Sequence, residues 1–106
     1  MPFACDDMID VAVALPVHGS FTYRVPAALG AAVEIGMRVL VPFGRRRSTG
    51  YVLGPAPAAE RREIKPLLGL LDERPIFPPQ LIPLFRWAAD YYLHPLGEVI
   101  QTALPG

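Results

Sequence analysis

From Met8 to Leu15 the chain alternates, with Ile9, Val11, Val13 and Leu15 on one side and Asp10, Ala12 and Ala14 on the other. That is the two-residue period of a half-buried strand, and Pro16 ends it. A turn-like PVHGS leads into Phe21 to Val25, where Phe21, Tyr23 and Val25 share a face and Thr22 and Arg24 take the other. After a small-residue connection from Ala27 to Gly36, the β signature resumes in MRVLVPF from Met37 to Phe43. The glycine-bracketed GRRRSTG from Gly44 to Gly50 reads as a polar loop, Tyr51 to Leu53 as the returning strand, and the triple arginine as the tip of a hairpin. Ile64 to Leu71 is apolar enough for another strand, which Pro66 restricts to an edge or a bulge.

The period then changes. Between Gln80 and Tyr92, residues Leu81, Leu84, Phe85, Ala88, Tyr91 and Tyr92 recur at helical spacing, with Pro79 and Pro83 inside the opening turn where proline is tolerated. His94-Pro95 interrupts, and Leu96 to Leu104 predicts a second short helix. The elements add up to a mainly β (α+β) fold: a small, curved, barrel-like antiparallel sheet of about five strands, with one or two C-terminal helices.

Composition bounds this picture without changing it. A chain of 106 residues, 52% apolar, suits one domain spanning 1–106 with a real core, and thirteen prolines favour short elements and firm turns. The lone Cys5 has no second thiol for a disulfide or a metal site, which suits a reducing cytosol. The N-terminus has three aspartates and no basic leader, and no apolar run approaches a membrane span, so secretion and membrane insertion are not expected. Net charge is zero, yet between Arg38 and Lys65 seven basic residues (Arg38, Arg45, Arg46, Arg47, Arg61, Arg62, Lys65) face only Glu60 and Glu63. A one-sided positive surface suits an anionic polymer as well as a solvated loop.

Catalytic chemistry finds no footing. GRRRSTG lacks the lysine of a nucleotide-binding phosphate loop and lies between strands. His18 and His94 are far apart, and the pairs Asp6-Asp7 and Asp72-Glu73 have no nucleophile or base beside them. No catalytic residue, metal site or cofactor is expected. What remains is aromatic and basic: Phe21, Tyr23, Phe43 and Tyr51 near strand ends, beside cations, the ingredients of a single-stranded nucleic-acid site as well as of an ordinary core.

Four segments in order, VALPVHGSFTYRVP, GMRVLVPFGRRRSTGYV, EIKPLLGLLDERPIF and LFRWAADYYLHPLGEVIQTALP, resemble the N-terminal domain of PriA-type replication-restart helicases. The resemblance implies a DNA-binding module that captures the 3′ end of a nascent leading strand at an abandoned fork. It also implies an N-terminal fragment of a longer, helicase-like protein, bacterial, cytoplasmic and nucleoid-associated. Implied partners are fork DNA, the C-terminal helicase core, and other primosome and single-strand-binding proteins. Carried onto this sequence, the family's end pocket falls on Phe21, Thr22, Gly44 and Lys65, with Tyr23 packed beneath Phe21. Arg45, Arg46 and Arg47 do not belong to that pocket but adjoin Gly44, and with Tyr23 and Phe43 they are expected as supporting DNA or phosphate contacts along the adjoining duplex. Thr22 departs from the aspartate often found there; its hydroxyl accepts a hydrogen bond without charge, so a 3′-phosphorylated end would be refused by size and not also by repulsion. Two other functions fit the same residues: a protein-interaction domain using Trp87, Tyr91 and Tyr92, and a general single-strand binder of the OB kind with no preference for ends.

Overall fold

The structure is a computed structural model that describes residues 2–56 and 64–104. Its five strands are β1 (Met8–Val13), β2 (Phe21–Arg24), β3 (Arg38–Phe43), β4 (Arg46–Pro55) and β5 (Gly69–Leu70), followed by α1 (Ile82–Tyr91) and α2 (Leu96–Ala103). They form one antiparallel sheet in the order β2-β1-β4-β3-β5. Short 3-10 turns occupy Ala27–Leu29 and Pro79–Leu81, the second leading into α1, whose first turn accepts Pro83 as expected.

Strand alternation splits the apolar side chains between two faces. Ile9, Val11 and Val13 of β1 join Tyr23, Val25, Val39, Val41, Val52 and Leu67 in one core, all but fully buried, while Ala12, Tyr51 and Leu53 turn to the other face and meet Phe77, Phe85, Ala89, Leu96 and Ile100. Each large aliphatic side chain buried this way contributes about 1.5–3 kcal/mol. The helices therefore cover one face only, and the opposite face closes on its own side chains.

Four sequence expectations need correction. The sheet is curved but not closed into a barrel: its edges β2 and β5 share no ladder, and only the segment before β5 reaches β2, through a single bridge between Arg24 and Pro66. Of the strand expected over Ile64 to Leu71 only Gly69–Leu70 pairs with β3, because the chain around Pro66 turns to β2 instead, where the Lys65 carbonyl and the Leu67 N–H bond Arg24. The supposed loop Gly44 to Gly50 is mostly strand, because Gly44 at φ 61° closes a tight hairpin and lets Arg46 pair directly with Phe43. Finally, helical spacing placed Leu84, Tyr91 and Tyr92 in the apolar stripe of α1, but its buried positions are Phe85 and Ala89. Leu84, Trp87, Tyr91 and Tyr92 are exposed, with Trp87 stacked on Tyr91 and Tyr92 edge-on to it.

Candidate functional site

The open side of the sheet leaves a gap between the far edge of β2 and the β3-β4 hairpin, and that gap is a hollow of about 220 Å³. Phe21, Thr22, Tyr23, Pro42, Phe43, Gly44 and Lys65 line it. Residues separated by more than forty positions thus meet because β2 and β3 flank the central pair β1-β4 and the segment after the hairpin returns between them.

Phe21 and Phe43 sit edge to face with centroids 5.0 Å apart, both half-buried against the first core, so one aromatic wall is braced by another. Tyr23 is buried and its hydroxyl donates to the carbonyl of Pro42 at 2.7 Å, tying β2 to the end of β3. Burial raises its pKa above the ordinary phenol value. Lys65 is exposed, and its carbonyl accepts the Arg24 N–H at 3.0 Å, which fixes the backbone that carries the amine at the rim. Gly44 occupies the tight turn at φ 61°, a conformation that by itself selects glycine.

Thr22 borders the hollow from the edge of β2. Phe21 and Tyr23 face the first core, so the Thr22 side chain leaves the opposite face, paired across the ladder with Asp10. The Arg24 N–H and C=O bond outward, to the Lys65 carbonyl and the Leu67 N–H, each at 3.0 Å. Ladder alternation turns the Thr22 N–H and C=O to that same outer edge, beyond the reach of β1. The hollow is therefore bordered at position 22 by an unladdered main-chain donor and acceptor.

The three arginines are exposed and separate by geometry: Arg45 lies in the turn, Arg46 opposite Phe43, and Arg47 opposite Pro42. Arg61, Arg62, Glu60 and Glu63 lie outside the described residues. Pro42 was not foreseen as a wall of the hollow; its place opposite the basic strand and its carbonyl bond to Tyr23 become visible only once the register is known. A larger hollow of about 410 Å³ lies between the β1-β2 loop and the end of α1, where His18, Arg86, Asp90 and His94 meet although far apart in sequence. Arg86 there reaches Asp10 at 3.4 Å, and His94 lies 3.6 Å from Glu98. Among the described residues, no group of three or more histidines, cysteines or acids is placed to hold a metal ion, and no helix is long and apolar enough to cross a membrane.

Residues 10–105 match the PriA family described as 3'DNA-binding domain (3'BD). The chain is 38% identical over 100 residues to the replication restart protein PriA of Haemophilus influenzae, covering 92% of this chain and 13% of that protein. It is 30% identical over 97 residues to PriA of Treponema pallidum, covering 86% and 15% of the two chains. With PriA of Bacillus subtilis the identity is 33% over 87 residues, covering 80% and 11%. The chain thus spans roughly an eighth of the length of these relatives, and with nearly all of it inside the match it belongs to the PriA 3′ DNA-binding-domain family.

Proposed function

We propose that this domain binds the 3′ end of a DNA strand without regard to sequence and serves replication restart at stalled forks, the strand being the nascent leading strand. The carrying observation is the single hollow that gathers Phe21, Thr22, Gly44 and Lys65 from three separate stretches of chain. A ring braced at its edge, as Phe21 is by Phe43, stacks on any base at about 1–3 kcal/mol without testing its hydrogen-bonding edge. Lys65 supplies a point charge for the last phosphodiester. The Thr22 main chain offers one donor and one acceptor to the terminal nucleotide, and Tyr23 forms the floor.

No bond is made or broken in this scheme; the domain is a binding module, and any motor resides in other parts of a PriA-like protein. Docking on such a helicase core is a second role, favoured by the exposed Trp87-Tyr91 stack and Tyr92, and so are contacts with other primosome or single-strand-binding proteins at the bacterial nucleoid. The test of the pocket is affinity for a single-stranded 3′ terminus by fluorescence anisotropy. Phe21→Ala is expected to cost about 1–3 kcal/mol, and Lys65→Ala to reduce the salt slope by about 0.7 on a single-stranded end, with both losses vanishing on a 3′-blocked end. Equal losses on free and blocked ends would refute the pocket.

A further inference from the structure

The hairpin that supplies Phe43 and Gly44 continues directly into three arginines, and its register assigns them to different places. Phe43 pairs with Arg46 and Pro42 with Arg47. Directly opposed residues in an antiparallel ladder share a face, with Cβ atoms roughly 4.5–5.5 Å apart. Phe43 packs on the first core beside Phe21, so Arg46 leaves the sheet on the face of the two rings. Arg47 leaves on the opposite face, the one that carries Tyr51 and Leu53 toward the helices further along β4. Arg45 occupies the turn, beyond the ladder. Among the described residues none of the three pairs with a carboxylate, whereas Arg24, Arg38 and Arg86 each do.

We propose that Arg46 is a second phosphate-binding residue of the DNA-end site, holding the phosphate one nucleotide inward from the terminus, and that Arg47 takes no part. The inference rests on the end-pocket function proposed above. A strand whose last base lies on Phe21 presents its final phosphodiester to Lys65, and the strand leaves the hollow across its rim. Arg46 stands at that rim beside Phe43, a residue that lines the hollow, with a stem long enough to reach past the ring. Its guanidinium is a forked donor suited to phosphate, and it reads no base, so the added grip is indifferent to sequence. The arginine cluster thereby acts as a one-sided device: its charge adds to the end site only from the ring face.

The experiment compares Arg46→Gln with Arg47→Gln, both at exposed positions, so thermal melts should match the unmodified chain. Binding of 5′-labelled single strands is measured against salt, using a dinucleotide with one phosphodiester and a longer strand. Arg46→Gln should lose about 0.7 of the salt slope on the longer strand and nothing on the dinucleotide, with Arg47→Gln unchanged on both. Equal slope losses for the two variants, no loss for Arg46→Gln, or a loss already present on the dinucleotide would overturn the assignment while leaving the pocket intact. In parallel, the unmodified chain is tested on free and 3′-phosphorylated strands. Equal affinity there would remove the end pocket itself, and the assignment of Arg46 with it.

Discussion

Thr22 and Phe21 are neighbours on an edge strand, and alternation gives them opposite tasks. The ring faces the hollow, while position 22 offers it main chain, with the side chain turned to the face of Asp10. Thr22→Ala and Thr22→Asp should therefore bind a free 3′ end within about threefold of the unmodified chain, by titration with labelled oligonucleotide, and a loss of tenfold or more in Thr22→Ala would show that the hydroxyl makes the contact. The sequence alone led to the hydroxyl, because a single residue type suggests side-chain chemistry. Which of its atoms face a cavity depends on ladder pairing, here revealed by the bonds from Arg24 to the Lys65 carbonyl and the Leu67 N–H. Phe21, Gly44 and Lys65 were legible through resemblance, and Phe21 also through its strand-end position. Their convergence in one pocket was likewise implied by resemblance alone; periodicity does not carry it, since it requires β2 and the segment near Pro66 to approach across an open edge.

Elements are held in place by contacts that sequence periodicity does not carry. Asp72, read from sequence as part of a turn, accepts the Arg38 N–H at 2.8 Å and the Arg38 guanidinium at 2.8 and 3.2 Å, pinning the chain after β5 to the start of β3. These hydrogen bonds from Arg38 hold the Asp72 carboxyl below the usual aspartate range and raise the guanidinium pKa. A carboxyl depressed on folding adds stability that is present above its unfolded pKa of about 3.9 and is lost as pH falls through the folded value. Asp72→Asn should consequently cost about 1–2 kcal/mol at neutral pH, the lower part of the range for charge-assisted bonds because the Arg38 side chain is partly open to water. Urea denaturation at pH 7 and at pH 3 should show the variant and the parent converging in acid; a constant difference would contradict this origin. Where α2 crosses β1, Gly97 lets the helix rest on the strand backbone, because a Cβ there would strike the Val13 carbonyl. Gly97→Ala should cost about 1–3 kcal/mol in thermal melts, through overpacking rather than helix propensity, which favours alanine. An unchanged or higher melting temperature would mean that α2 slides freely.

At the scale of the whole molecule, the division into two faces separates stability from binding. One face of the sheet is filled by the helices, the other closes largely on β-branched side chains, and the gap between its edges is the hollow proposed above as the binding site. The alternating strands and the helical repeat at the C-terminus made the α+β architecture legible in the sequence. The open edge was not, because it depends on the segment before β5 reaching β2 through one bridge only, at Pro66, and on a hairpin tighter than its polar composition implied. The rings of α1 were open to two readings, apolar stripe or docking surface, because helical spacing counts apolar residues but cannot tell which side of the helix lacks a neighbour; Trp87, Tyr91 and Tyr92 are exposed.

The most direct measurement is competition, by the unmodified domain, between two otherwise identical single strands, one ending in a free 3′ hydroxyl and one in a 3′ phosphate. The free end should bind at least tenfold more tightly, with the four terminal bases equivalent. Equal affinities for the two strands would contradict an end-binding pocket at Phe21, Thr22, Gly44 and Lys65.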